Sequence, residues 1–361
     1  MSSHQLDILA LEPYYGGVRR AMLESLMRCS RHRWTLFKLP ARRMERRLST
    51  AAHWFAETLA RNWAGHFDVL LTSEALNLAD LYRFVPELLK RPSVVYFHDN
   101  QLPEAGKGRG SQFELVNLNS AAAATEIWFN SLYHLRTFLA RASAMVGRMP
   151  EFAGRNPMPV LTAKAHIYSP PIGMPPLPKG VTADSFARDR RTLLVDLDDS
   201  DMTLLNTTFA SLARRGEPFK LYTLGSDAEL KSDVPRTPIR ERDEAGAHMA
   251  MLQAGVYLSA KSGCVCDYQS VRAMLSGCWP LCPQEGVYRE VIPEQLQSGC
   301  LHNGTADTLT GRLQDAFHLE FVDDYQFLLV ESLKRFDPMA ACKAIDSRLE
   351  ELAVGHSIGK R

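Results

Sequence analysis

Apolar residues along this chain gather into short runs that stop at polar residues and give way to stretches with helical spacing. The sharpest run is Ser93-Val94-Val95-Tyr96-Phe97, which ends abruptly at His98-Asp99-Asn100-Gln101. A continuous apolar run rich in β-branched and aromatic residues predicts a buried parallel strand. In open α/β sheets ligands gather beyond the carboxyl ends of the strands. The four polar side chains therefore either line a ligand site or satisfy loop backbone.

The same alternation repeats from the start of the chain. Leu6 to Leu11 predicts a strand, Glu12-Pro13-Tyr14-Tyr15-Gly16-Gly17 a turn, and Val18 to about Cys29 a helix. Paired glycines let a ligand approach the backbone, and a helix N-terminus flanked by Arg19 and Arg20 favours anions. Trp34 to Leu39 and Phe67 to Thr72 predict two more strands, with a helix beginning at Ser73 to Leu81. Gln112 to Ala124 reads as a helix. Glu126 to Phe129 reads as a strand, with Asn130 and Ser131 capping a helix over Leu132 to Ala142. Ser169 to Pro178 is proline-rich and stiff, and ends the first array. A second array follows, with strands at Thr192 to Val195, Phe219 to Leu224, Val256 to Ser259 and Trp279 to Cys282. Its helices include Met202 to Arg214 and Tyr268 to Leu275. From about Phe321 the pattern is helical, ending in Ile345 to Ala353.

Strand-helix alternation of this kind predicts an α/β protein. Two Rossmann-like domains with a C-terminal helical tail fit a GT-B arrangement. The boundaries fall at residues 1–170, a linker at 171–190, a second domain at 191–320 and terminal helices at 321–361. A length of 361 residues suits two domains.

Charge adds an asymmetry that the net value of +1 hides. Through Gly180 there are 22 Lys/Arg against 14 Asp/Glu, and beyond it 20 against 27. A basic first half faces phosphates or is a solvated surface. Arg42, Arg43, Arg46 and Arg47 cover one side of a helical turn or the adjoining loop, and either contact an RNA backbone or are solvated. The loop Leu102 to Gly110, with three glycines, Lys107 and Arg109, is expected to be mobile.

Seven cysteines, an odd number with no secretory signal ahead of them, read as reduced thiols of a cytoplasmic protein. Cys264, Cys266, Cys278 and Cys282 contain no C-x-x-C pair, so buried thiols are expected over zinc, and no metal is assigned. No apolar run approaches the roughly 20 residues of a membrane span, so no membrane partner is expected.

Four segments carry a family resemblance. These are Leu11-Glu12-Pro13-Tyr14-Tyr15-Gly16-Gly17, Asp68-Val69-Leu70-Leu71 with Leu76-Asn77-Leu78-Ala79, Tyr96-Phe97-His98-Asp99-Asn100-Gln101, and Trp128-Phe129-Asn130-Ser131. In order and spacing they resemble the tRNA-queuosine α-mannosyltransferase family. The resemblance implies a retaining GT-B enzyme that passes mannose from GDP-mannose to queuosine in a tRNA, with no further cofactor. It makes the first domain the acceptor domain and the second the donor type. It implies His98 as the residue at the transferred sugar or leaving group. Glu12, Gly16, Gly17, Arg19, Asn100, Gln101, Asn117, Asn130 and Ser131 would surround the substrate. In the second half Gly277 to Pro283 and Val287 to Glu290 also resemble the family, which implies Arg272, Tyr288 and Glu290 near the donor.

The second half departs from the family's pattern in charge. Where an Arg and a Lys usually neutralise the donor diphosphate, this chain reads Asp196-Leu197-Asp198-Asp199-Ser200-Asp201. The positions of two family glutamates are filled by Cys264 and Arg272. Acidic residues repel a diphosphate. Three readings follow: Arg272 takes over phosphate binding, the aspartates hold a divalent metal that bridges the phosphates, or the chain is a non-catalytic pseudoglycosyltransferase that binds RNA or protein. For Arg272 a single salt bridge is the plain alternative.

Overall fold

The computed structural model of the protein describes residues 5–62, 65–99, 102, 114–152, 154, 156–231, 234–240, 243–319 and 323–358. Contacts divide the chain into two compact units, Met1–Pro171 with Phe336–Arg361, and Ile172–Arg335.

The first unit contains, in chain order, β1 (Asp7–Tyr15), α1 (Gly17–Cys29), β2 (Arg33–Pro40), α2 (Met44–Asn62), β3 (Val69–Ser73), α3 (Leu78–Phe84) and β4 (Ser93–Phe97). It continues with α4 (Glu114–Ala123), β5 (Glu126–Phe129), α5 (Leu132–Val146), α6 (Met158–Ala163) and β6 (Ala165–Ile167). These strands form a parallel sheet in the order β2-β1-β3-β4-β5-β6. The second unit contains β7 (Asp189–Asp196), α7 (Met202–Arg214), β8 (Lys220–Leu224), β9 (Arg236–Ile239), α8 (Glu244–Gln253), β10 (Ala254–Ser259) and α9 (Tyr268–Leu275). Then come β11 (Trp279–Pro283), α10 (Tyr288–Val291), α11 (Glu294–Cys300), β12 (Leu301–His302), α12 (Ala306–His318) and α13 (Asp323–Leu333). Its parallel sheet runs β12-β11-β10-β7-β8-β9. The last helix, α14 (Pro338–Ile358), returns to the first unit. This is the α/β GT-B fold with a C-terminal helical tail.

The strands read as continuous apolar runs because both faces of the sheet are covered. In β4, Val95 and Phe97 enter one core cluster while Val94 and Tyr96 enter the other. In β5, Ile127 and Phe129 divide from Trp128 in the same way. That is the period-two alternation of a strand buried on both sides. In each sheet the strand order reverses beside the first strand, between β1 and β3 and between β7 and β10. Such switch points open a crevice at the carboxyl edge.

α14 closes the second face of the first sheet. Cys342, Ile345, Leu349 and Leu352 pack with Met22 and Leu26 of α1. Polar contacts fix its register: Ser30 Oγ donates to Asp346 Oδ1 at 2.6 Å, and the Arg31 amide to Asp346 Oδ2 at 2.9 Å. Arg348 reaches the buried carboxylate of Glu126, which also accepts from Trp128 Nε1 at 2.8 Å. Arg348→Ala leaves that carboxylate short of its main countercharge. It is expected to cost roughly 2–4 kcal/mol, measured by urea denaturation, because breaking a buried pair strands the other charge. An unchanged midpoint would remove α14 from the list of elements that hold this unit together.

The structure moves several expected boundaries. β1 continues to Tyr15, so Glu12 is a strand residue and not part of a turn. Ser73 ends β3 instead of beginning a helix, which starts at Leu78 with Asn77 as its cap. α14 spans 21 residues, well beyond Ile345 to Ala353. The structure adds the short strands β6, β9 and β12, which are too brief or too polar to show as apolar runs. The proline-rich stretch is tied to the second unit, where Gly173 O accepts from Arg272 Nε at 3.0 Å and Pro175 O bonds His248 Nδ1 at 2.6 Å.

Candidate active site

At the carboxyl edge of the first sheet, β1, β3, β4 and β5 deliver polar residues to one buried cluster. Its centre is Glu74, which directly follows β3 and is 1% exposed. Glu74 pairs with Arg19 of α1 through Oε1. It also accepts the backbone N–H of Asp99 at Oε1, 3.2 Å, and that of His98 at Oε2, 3.1 Å. From the other side Asn130 Nδ2 donates to the carbonyl of His98 at 3.1 Å. The His98 peptide is thus gripped at both ends. Asn117 Nδ2 secures the carbonyl of Glu74 at 3.0 Å.

The His98 ring lies 4.8 Å from the Tyr96 ring, and makes no hydrogen bond among the described residues. Burial, with the nearby Arg19 guanidinium and His134, holds its pKa well below the usual imidazole range. The ring is neutral at physiological pH, able to accept a hydrogen bond at one nitrogen and donate at the other. His134 is likewise pushed down, to about 3, by burial and by Arg141.

Glu12, within the second half of β1, reaches the end of β3 at the same edge. Its Oε1 accepts from the Tyr14 amide at 2.7 Å and from Ser73 Oγ at 3.0 Å. Burial lifts its pKa to about 7 despite the pull of Arg19. Between about pH 4.5 and 7 the native state keeps a proton that the unfolded chain has lost, so stability falls as pH rises through that window. The full span is up to about 3 kcal/mol. Glu12→Gln is expected to flatten this dependence and to exceed the wild type in stability at pH 8. Denaturation midpoints at pH 5 and pH 8 test it, and an unaltered slope in the variant would reject the assignment.

The Gly16-Gly17 turn has a packing cause. A Cβ on Gly16 would sit 2.4 Å from that of Ala41, and Gly17 adopts φ +50°. This contact brings the loop after β2 against the end of β1. Arg42 and Arg43 of that loop, with Arg46 and Arg47 of α2, line a cleft of about 490 Å³.

A second polar cluster occupies the switch point of the second sheet. Lys261 Nζ meets Asp196 Oδ2 at 2.6 Å. Behind it, Asp267 accepts from the hydroxyls of Tyr257, at 3.1 Å and 3.2 Å, and of Tyr288, at 2.9 Å. Ser259 Oγ lies 2.7 Å from the Tyr288 hydroxyl. Burial raises Asp196 to about 6 against the pull of Lys261. Burial opposes the Lys261 charge, but Asp267 and Asp196 hold its pKa above the usual lysine value.

The structure brings Glu12, Arg19, His98, Asn117 and Asn130 together around Glu74. Asn117 and Asn130 act there by holding backbone. Ser131 caps α5, accepting from the His134 amide, while Asn130 is not the cap. Asn100 and Gln101 lie outside the described residues, as do Lys107 and Arg109. Tyr288 is wholly buried against Asp267, placed to orient that carboxylate. Arg272 spends its Nε–H on the carbonyl of Gly173 and, among the described residues, is bonded to no carboxylate, so a backbone contact stands where the plain alternative was a salt bridge. Glu290 is half-buried, its carbonyl accepting from Arg335. The acidic run is divided among separate tasks: Asp196 pairs with Lys261, and Asp201 caps α7. No three His, Cys, Asp or Glu side chains are placed to share a metal among the described residues. All seven cysteines are free. Glu74, Lys261 and Asp267 escaped sequence reasoning. Glu74 does carry one signal, a charged residue immediately after an apolar strand.

Residues 7–172 match the tRNA-queuosine alpha-mannosyltransferase N-terminal family. The chain is also 26% identical over 339 residues to the tRNA-queuosine alpha-mannosyltransferase of Drosophila melanogaster, covering 87% of each. Over these residues the chain is similar to this family of glycosyltransferases. The family match covers the N-terminal segment of the unit that holds the Glu74 cluster, without the returning segment Phe336–Arg361, and stops where the second unit begins. Solved structures agree on the fold. The N-terminal domain of Candida albicans trehalose-6-phosphate phosphatase has a TM-score of 0.67 at 9% identity, covering 99% of this chain and 98% of that one. The catalytic domain of Arabidopsis thaliana starch synthase IV, bound to ADP and acarbose, has a TM-score of 0.59 at 12% identity, covering 98% and 99%. No helix among the described residues is long and apolar enough to cross a membrane.

Proposed function

We infer that the protein transfers a hexosyl group from a nucleotide sugar, GDP-mannose by family, to a hydroxyl of queuosine in tRNA, with retention. The observation that carries this reading is the gripping of His98. Glu74 takes its N–H and Asn130 its carbonyl, which fixes a neutral imidazole at the ligand-binding edge of the sheet. A positioned neutral donor suits hydrogen bonding to a sugar hydroxyl or leaving group, where misplacement is costly. Asn100 and Gln101, two and three residues further along the chain, are assigned to the same sugar site by the family resemblance, and Arg42, Arg43, Arg46 and Arg47 serve the RNA. His98→Ala is expected to abolish transfer and leave tRNA affinity unchanged, read by a mannosylation assay beside a filter-binding titration. Wild-type turnover in that variant would refute the role.

A second reading has its own support. In the second unit Lys261 is already matched by Asp196 and Asp267, so the crevice offers a diphosphate little uncompensated positive charge. That favours a non-catalytic module that binds RNA or protein. Calorimetry with GDP-mannose and other nucleotide sugars, with and without Mg²⁺, separates the two. Saturable donor binding supports the enzyme, and its absence in folded protein supports the module.

A further inference from the structure

One face of α2 is used by neither core. Leu48, Ala51, Ala52, Phe55 and Leu59 are buried on one side. Arg46, Arg47, Thr50, His53 and Trp54 recur at spacings of three and four on the other, and with Arg42 and Arg43 they line the cleft already described. Spare residues at helical spacing are usually a plain solvated face, but the chemistry here is ordered along the helix. Positive charge sits at the end next to the sheet edge. An indole sits about two turns away, eight residues beyond Arg46 or about 12 Å.

The charge at the near end is uncompensated. None of Arg42, Arg43, Arg46 and Arg47 meets a carboxylate among the described residues. Arg47 Nη2 donates to Pro40 O at 3.1 Å, and its Nε–H is buried with no acceptor. The acid in the cleft, Glu57, lies at the far end and is matched by His53 at 3.1 Å and Arg61 at 3.5 Å. Trp54 is 39% exposed although Phe55, its edge-on neighbour, is fully buried. A free phosphate would use the arginines and leave the indole idle. An RNA duplex would present phosphates but hide its base faces. A single strand offers both, with phosphates for the arginines and a base for the ring.

We propose that this cleft binds a single-stranded stretch of RNA, its phosphates on Arg42, Arg43, Arg46 and Arg47 and one unpaired base stacked on Trp54. The proposal rests on the RNA-acceptor reading above and adds where the strand lies and why it must be unpaired. Gly16 against Ala41, and Tyr15 paired with Pro40, join this cleft to the edge that carries Glu12, Glu74 and His98. A strand anchored on α2 therefore runs toward that edge.

The test uses the full chain, a ten-nucleotide single-stranded RNA and the corresponding duplex, at two salt concentrations. Binding of the single strand is expected to quench tryptophan emission in the wild type, and Trp54→Phe to remove the quenching while keeping most of the affinity. Trp54→Ala is expected to weaken single-strand binding about tenfold and duplex binding less than twofold. The double variant Arg46→Glu, Arg47→Glu is expected to weaken both ligands and flatten the salt dependence. Equal single-strand affinity of Trp54→Ala and wild type, or an equal loss for both ligands, overturns the stacking site. RNA binding that the arginine double variant leaves intact overturns the cleft but keeps the acceptor reading. Absence of RNA binding by the wild type overturns both.

Discussion

Glu74→Gln is expected to reduce sugar transfer about a hundredfold or more while the protein stays folded, since displacing a reacting group by about 1 Å costs that much. The carboxylate accepts three donors at once: Arg19, and the amides of His98 and Asp99. A glutamine of the same shape turns one acceptor into an NH₂ group that faces another donor. A buried donor left without an acceptor is costly, so the loop after β4 shifts to avoid it. Two readouts separate this from simple instability. Hydrogen exchange at the His98 and Asp99 amides should accelerate in the variant, and the urea midpoint should fall less than in Glu74→Ala. Alanine leaves the buried Arg19 guanidinium without the carboxylate that bonds it, a loss of about 3–5 kcal/mol. Normal transfer by Glu74→Gln with unchanged amide protection would remove the clamp from the mechanism and leave His98 positioned by Asn130 alone.

What was legible in the chain follows from where each signal lives. The central strand and His98 stand out because an apolar run and its polar stop are both local. The two parallel sheets are legible for the same reason, since strands covered on both faces read as unbroken apolar runs. Glu74 was hidden by an ambiguity of place. Thr72-Ser73-Glu74 sits between a strand and a helix, where polar residues serve equally as strand end and helix start. Lys261 was hidden by distance, because nothing around Ala260-Lys261-Ser262-Gly263 says that its ammonium folds back on Asp196, 65 residues earlier. The aspartate run misled by being read as one block of charge. In the fold its members point to different partners, so its summed charge describes no single place.

Lys261 is the residue on which the two functional readings divide. Lys261→Met leaves Asp196, 5% exposed, under the influence of Asp267 and without the cation that both carboxylates attract. Stability should fall by about 3 kcal/mol, the cost of stranding one member of a buried pair. Part of the loss should be recovered below pH 6, because a carboxylate already raised to about 6 takes up a proton readily once its countercharge is gone. The double variant Lys261→Met, Asp196→Asn removes both charges and should return most of the stability. Donor binding then carries the answer. An ammonium that moves from Asp196 to a diphosphate when the nucleotide sugar arrives makes both variants lose the donor, stable or not. A purely structural pair gives back donor binding together with stability in the double variant. Calorimetry on the wild type and the two variants, run beside urea denaturation, distinguishes these outcomes. Loss of the donor in the stable double variant identifies Lys261 as the phosphate contact that Asp196 to Asp201 do not provide.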